Sequence, residues 1–251
     1  MVILGYINLK KNMARFSIII PAYQAEKLIT RTLEILLESY NEKIKNGDAE
    51  IIVINDGSRD KTQEILEKYT DYITILKNER NMGKGFSIRK AYLYAQSDYV
   101  VYTDADLPYG IESIQKIIDK LMQGSLCVIG EREIVDGNWF RELTHWGFLM
   151  CEKVLFGLNL KDTQCGIKGF KTDIIKELSK IAIINSFAFE VEFLFLLKRS
   201  KIKIDIQKVP PADYSQTTIR LRDIITMAWD LFRVRIHKYN LKNLKNNHEC
   251  F

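Results

Sequence analysis

The stretch from Tyr99 to Gly110 reads YVVYTDADLPYG. An apolar run ends in two carboxylates, Asp104 and Asp106, one residue apart. Like charges this close raise one another's pKa unless a cation lies near them. A hard divalent ion such as Mg²⁺ takes oxygen ligands and keeps diphosphate oxygens in its shell. An Asp-x-Asp at a strand end therefore suits a metal bound together with a nucleotide diphosphate. It equally suits a solvated turn that caps a helix, and the spacing alone leaves both readings open.

Other residues bear on that choice. Asp56 follows an apolar run and precedes Gly57. It is either part of an Asp-Gly turn or an acceptor for a nucleobase N–H. Gly83-Lys84-Gly85 precedes a helical stretch with Arg89 one turn in. Small residues let a backbone approach phosphate, and Lys84 and Arg89 add positive charge, although a loop with surface cations has the same composition. The GxxxxGK[ST] spacing of a P-loop is absent. FSIIIPAYQAE also lacks the glycine-rich loop expected of a nucleotidyltransferase.

The elements that must position these residues alternate. Strands are predicted at 16–20, 51–55, 72–76, 99–103 and 126–130. Helices are predicted at 26–45, through Tyr69, at 85–95 and at 111–122. This order implies an α/β fold of three layers around a mostly parallel sheet with right-handed crossovers. Ligands bind such sheets at the carboxyl ends of the strands, where Asp56 and the Asp104/Asp106 pair fall. The second half carries an apolar helix at 143–158, a loop at 162–170 leading into a strand, helices at 173–181 and 187–199, and a strand at 203–209. A basic amphipathic helix follows, at about 219–239. Its stripe of Leu221, Ile224, Ile225, Ala228, Leu231 and Phe232 suits either a core or a membrane surface.

The 251 residues carry a formal net charge of +5, which suits an anionic substrate or surface. The four cysteines have no paired spacing, so neither a disulfide framework nor a zinc site is supported, and reduced thiols in a cytoplasmic protein are expected. No apolar run reaches the roughly 18–20 residues that span a bilayer. The first residues lack the order of a secretory signal. Met13 is a candidate start, which makes 1–14 an extension, 15–242 one domain including the late amphipathic helix, and 243–251 a polar tail.

PAYQAE (21–26), INDGSRDKT (54–62), NMGKGFSIRKA (81–91), TDADLP (103–108), GER (130–132), DTQCGIKGF (162–170) and FEVE (189–192) occur in a fixed order. Together they resemble the family-2 glycosyltransferases with a GT-A fold, within them the dolichyl-phosphate glucosyltransferase and polyprenyl-phosphate sugar synthase branch. The likeness runs from about Arg15 to Lys242. Gln24 and Ala25 stand where the family shows Asn and Glu, and Glu190 stands where many relatives carry Asp.

The resemblance implies an inverting, metal-dependent hexosyltransferase using Mg²⁺ or Mn²⁺, with a UDP-sugar donor and a polyprenyl-phosphate acceptor. The metal and diphosphate would meet Asp104 and Asp106, with Ala105 between them. Pro21, Ala22, Tyr23, Glu26 and Asp56 would line the base and ribose. Lys84 and Arg89 would serve the donor phosphates. Arg132 and Arg141 would hold the acceptor phosphate, with Lys168 as a further cation. Asp162, Gln164 and Glu192 would surround the sugar, and Asp162 or Glu192 would serve as base if the acceptor is a hydroxyl. Asp162 could instead orient a sugar hydroxyl or an arginine. A glycan acceptor and a catalytically weak nucleotide-sugar-binding scaffold are the alternatives. No nucleic-acid partner is implied, and the expected location is cytoplasmic, with peripheral contact to the membrane.

Overall fold

The computed structural model describes residues 14–133, 139–211 and 221–241; the side chains of 139–146 and 221–225 lie outside that description. Fifteen elements follow one another. They are β1 (Phe16–Ala22), α1 (Ile29–Lys45), β2 (Ala49–Asn55), α2 (Thr62–Glu67), β3 (Thr74–Lys77), α3 (Lys84–Tyr94), β4 (Tyr99–Thr103) and α4 (Gly110–Met122), then β5 (Cys127–Arg132), α5 (Trp139–Phe156), β6 (Ile167–Lys171), α6 (Thr172–Ile181), α7 (Phe189–Arg199), β7 (Asp205–Val209) and α8 (Leu221–Ile236). The expected 1–14 extension, apart from residue 14, and the 243–251 tail lie outside the described residues.

The seven strands form one sheet in the order β3-β2-β1-β4-β6-β5-β7. All pairings are parallel except those of β6, which runs antiparallel to both β4 and β5. A parallel sheet covered on both faces has strands apolar on both faces, and the sequence shows this. In β1, Ile18 and Ile20 pack with Leu33 and Leu36 of α1, while Ile19 packs on the opposite face with Ile88 of α3. In β2, Ile51 and Val53 face the first layer, and Ile52 and Ile54 the second. Helices α1, α2 and α4 thus cover one face, and α3, α6, α7 and α8 the other, which is the three-layer arrangement expected.

The antiparallel β6 is what the strand–helix rhythm did not predict. It inserts between β4 and β5 with Lys168 opposite both Tyr102 and Ile129. Because it runs backwards, its N-terminal end lies beside the C-terminal ends of β4 and β5. The 162–166 loop is thereby delivered to the edge that carries Asp104. Gly169 makes this strand possible, since a Cβ there would lie 2.4 Å from Ile117 Cγ2 of α4.

Helix ends differ from expectation at two places that matter. The helix predicted from 26 begins at Ile29, because 23–28 form a loop tied to the 58–62 turn. The late basic helix stops at Ile236, and the chain then turns so that Tyr239 is buried.

Two glycines separate close packing from open helix. A Cβ on Gly85 of α3 would lie 2.6 Å from Phe189 Cβ and 2.9 Å from the Ile184 carbonyl, whereas one on Gly147 of α5 meets nothing within 4 Å. Gly147→Ala is expected to raise unfolding stability by about 0.5–1 kcal/mol through helix propensity. Gly85→Ala is expected to lower it by about 1–3 kcal/mol through overpacking. Urea denaturation of the two variants checks both signs, and a stable Gly85→Ala protein would contradict the α3–α7 contact.

Candidate active site

The site assembles along the carboxyl edge of β2, β4 and β5, completed by the loop before β6. Asp104 follows the last residue of β4. Its backbone N–H donates to the Gly166 carbonyl at 3.2 Å, and its side chain lies directly over the Gly166 Cα. A Cβ on Gly166 would fall 1.9 Å from Asp104 Oδ2, so any other residue here forces that carboxylate to move. The turn that follows is held from α1, where the Thr32 hydroxyl donates to the Ala105 carbonyl at 2.5 Å. Leu107 closes it at φ +48°, a strained conformation for a branched side chain.

Lys84, the first residue of α3, places its ammonium 2.7 Å from Asp104 Oδ1 and 3.8 Å from Glu190 Oε1. Burial pulls this ammonium's pKa down, and Asp104, Glu190 and Asp106 together more than reverse the effect, leaving it above its ordinary value. On its other side Glu190 pairs with the buried Lys168 at 2.8 Å and accepts a short hydrogen bond from the Tyr102 hydroxyl. Lys168 also donates to the Cys165 carbonyl at 2.7 Å. The result is an alternating row of charges: Asp104, Lys84, Glu190, Lys168. Asp106 stands outside it and is exposed. Partial desolvation first, then the Asp104 charge, raise the Asp106 carboxyl above its ordinary value.

A second ion pair lies at the end of β5. Asp162 clamps Arg132 in a fork, with Nε at 2.5 Å and Nη2 at 2.7 Å, and also accepts the Arg132 backbone N–H at 3.2 Å. Of the roles open for Asp162, its contacts here are those that orient an arginine. Gln164 is half-buried in the same loop.

The remaining expected residues divide. Pro21, Ala22 and Tyr23 end β1 at the same edge, and Tyr23 is exposed. Glu26 is turned to the backbone, accepting the Lys61 N–H at 3.0 Å. Asp56 is buried, and its carboxylate takes the Asn78 side-chain amide at 2.8 Å and the backbone N–H groups of Met82 and Gly83 at 2.8 and 3.0 Å. It therefore shapes the loop that delivers Lys84. Gly83 has φ +95° and would clash with the Asn185 carbonyl if it carried a Cβ, so this glycine seats the loop against residue 185. Arg141 lies on α5, with its side chain outside the described residues.

Three expectations need correction. Arg89 does not face the donor side; its guanidinium donates to the Ile184 carbonyl and to Asn185 Oδ1, each at 2.5 Å, and burial lowers its pKa. Glu192 does not surround a sugar. It is fully buried and accepts the Ile183 and Ile184 N–H groups at 2.7 and 3.0 Å and the Tyr239 hydroxyl at 2.7 Å. Lys168 is buried in its ion pair and does not present its charge to an acceptor. The sequence reading missed Glu190 as a site residue. It lies two positions from Glu192, about 200° around a helix, so the two carboxylates of FEVE necessarily face opposite ways.

Behind the 162–166 loop lies Glu152 of α5. It is 1% exposed; Oε1 accepts the Thr163 hydroxyl at 2.9 Å, and Oε2 has no hydrogen-bond partner among the described residues. Burial pushes its carboxyl up to about 7.

The residues fit a divalent cation of the kind held jointly by protein and substrate. No cluster of three or more metal-ligating side chains occurs among the described residues. A pair of carboxylates with raised mutual repulsion matches Mg²⁺ or Mn²⁺ sites, where one or two carboxylates share the ion with phosphate oxygens and water.

Strand order and layering define a domain of the GT-A fold. The chain superimposes on glucosyl-3-phosphoglycerate synthase from Mycobacterium tuberculosis, solved with Mn²⁺, UDP and glucosyl-3-phosphoglycerate. The TM-score is 0.67 over 90% of this chain and 79% of that one, at 17% identity. Two dolichyl-phosphate beta-glucosyltransferases of Trichomonas vaginalis are 29% and 31% identical to it. They cover 92% and 88% of this chain, and the matches span 76% and 72% of their own lengths. The model of glycosyl transferase family 2 matches residues 17–201. The chain belongs to that family, and it is a glycosyltransferase.

Two predictions follow from this geometry. Gly166→Ala is expected to displace Asp104 and reduce turnover by about 100-fold or more, the scale of losing a preorganised electrostatic group; near-normal rates would show that Asp104 tolerates movement. Glu152 has a folded pKa above its unfolded value, so its stabilising share is full at low pH and is lost as pH rises from about 4.5 through 7. Glu152→Gln is therefore expected to match the wild type near pH 5 and to exceed it by about 1–3 kcal/mol at pH 8. Urea unfolding at both values checks the sign, and a difference independent of pH would contradict it.

Proposed function

We propose that this glycosyltransferase moves glucose from UDP-glucose to a polyprenyl phosphate of the dolichyl type, with inversion at the anomeric carbon. The relatives named above are dolichyl-phosphate beta-glucosyltransferases. A beta product from an alpha-linked nucleotide sugar is the outcome of a single displacement, which inverts.

The observation that carries the acceptor class is the engagement of both expected bases. Asp162 is locked onto Arg132, and Glu192 is buried under three donors on the far side of α7. A sugar hydroxyl needs a base at neutral pH. A lipid monophosphate has a second pKa near 6 and is already largely dianionic at pH 7, so it needs positioning instead. In this reading Arg132, pre-set by Asp162, holds the acceptor phosphate. A fixed guanidinium fork suits a phosphate better than a mobile lysine does.

On the donor side, Asp104 and Asp106 would hold Mg²⁺ or Mn²⁺ with the diphosphate, and the ion would offset charge developing on the leaving group. Lys84 stays protonated and adds a fixed positive charge at the same place. Glu190 and Lys168 keep that ammonium from swinging away. Tyr23, exposed just after β1, would meet the base. A small cavity beside Lys84, of about 180 Å³, is walled by Phe187 and Met227. Phe187 and Met227 would suit isoprene units of the acceptor, with Lys84, Ser186 and Thr226 as the polar part of the wall.

A polyprenyl chain resides in a bilayer, so the enzyme would work at a membrane surface. No described helix is long and apolar enough to cross a membrane. With UDP-sugars supplied from the cytosol, the proposed location is the cytoplasmic face.

Radiolabelled UDP-glucose, Mn²⁺ and a polyprenyl phosphate are expected to give label extractable into organic solvent; label found only in glycan or free glucose would overturn the acceptor assignment. Asp106→Asn is expected to cut this turnover by about 100-fold or more while leaving the unfolding midpoint unchanged or higher, since a repelling charge is removed. Unaltered turnover would remove Asp106 from the metal site.

A further inference from the structure

A second cavity, of about 540 Å³, lies between the C-terminal ends of α5, α7 and α8. It belongs to the opposite end of α7 from Glu190, about 14 Å along the helix. Arg199, Arg235, His237 and Lys238 line it, with Leu155 and Phe195 among its apolar walls. The Arg199 guanidinium stacks over the Phe195 ring at 5.5 Å, which fixes one cation at the wall. Nearby Arg233 is neutralised by Asp230 at 3.0 Å. Among the described residues no carboxylate forms an ion pair with Arg199, Arg235 or Lys238.

The mouth of this cavity is continuous with exposed apolar surface. Trp229, Phe232 and Ile236 form a stripe on α8 at spacings of three and four, with exposures of 62%, 51% and 61%. Met150, Val154 and Leu155 form its counterpart on α5, exposed at 60%, 75% and 36%. Ile236 and Leu155 belong both to these faces and to the cavity wall. Two apolar ridges therefore flank a pocket of unpaired positive charge. Apolar side chains that reach into acyl chains, with cations at headgroup depth, are what an anionic bilayer surface selects.

We infer that this cavity is a second, non-catalytic site, which takes the phosphate of an anionic phospholipid headgroup while the α5 and α8 ridges enter the bilayer surface. The site docks the enzyme and is separate from the acceptor position at Arg132. It holds whichever acceptor the catalytic site uses.

The test uses the full chain and two sets of vesicles, phosphatidylcholine alone and equal parts phosphatidylcholine and phosphatidylglycerol. The wild type is expected to sediment with the anionic vesicles at low salt and to be released as salt rises. Arg235→Glu with Lys238→Glu is expected to weaken that partition by about 30-fold or more, from the loss of two surface cations. Trp229→Ser with Phe232→Ser is expected to weaken it as well. UDP binding by calorimetry is expected to be unchanged in both variants, which shows that they fold. Turnover of a short-chain, water-soluble polyprenyl phosphate is also expected to persist, which separates this site from the acceptor site. Equal binding to neutral vesicles, no binding to anionic ones, or full binding by the charge-reversal variant would each overturn the inference. Saturable thermal stabilisation by glycerol phosphate, without vesicle binding, would reassign the pocket to a soluble phosphorylated ligand and also overturn it.

Discussion

Everything at the carboxyl edge of the sheet depends on one row of alternating charges. Asp104, Lys84, Glu190 and Lys168 follow one another from the surface inward, each paired with the next. Buried charges persist only when paired and hydrogen-bonded, because losing one partner leaves an uncompensated ion out of water. Here two anions and two cations balance, and Tyr102 and the Cys165 carbonyl take further bonds. Asp106 is the charge left over. A protein gains no stability from an extra carboxylate beside a balanced row. A cation arriving with a diphosphate has use for one.

The fold is arranged to hold that row. Asp104 comes from a central parallel strand, Lys84 from the first turn of α3, Glu190 from the first turn of α7, and Lys168 from the antiparallel β6. The backward strand is the key topological feature, because it brings residues 162–166 to lie against Asp104. Gly166 admits the carboxylate, and the neighbouring Asp162 fixes Arg132 across the same edge. The Asp104 carboxylate and the Arg132 guanidinium are thus positioned by one loop. In the proposed reaction that coupling would bring the phosphate groups of two different molecules together despite their repulsion.

Much of this was legible in the sequence. The strand-end position of Asp104 and Asp106, the three layers and the glycine-flanked Lys84 follow from period, turn residues and strand–helix alternation. What was not legible has a common cause. Asp56, Arg89 and Glu192 carry the right charges at the right places along the chain, yet the hydrogen bonds each makes here go to protein groups. Composition cannot tell a carboxylate that binds a substrate from one that organises a loop. Glu190 and Glu192 differ only in which side of a helix they occupy, and the flanking residues FEVEFLFLL are buried all round, so amphipathicity gives no direction. The reversal of β6 was also hidden, because a short apolar run does not declare which way it crosses a sheet.

In the proposed reaction the aspartate pair is incomplete without a divalent ion shared with a diphosphate. Calorimetric titration of UDP into the protein, with Mn²⁺ present and then with the metal chelated, tests it most directly. Coupled binding predicts that UDP affinity falls by about 5–150-fold on chelation, and that Asp106→Asn abolishes the difference. Equal UDP affinity in both conditions would show that the two carboxylates do not share a metal with the nucleotide, and would contradict the account.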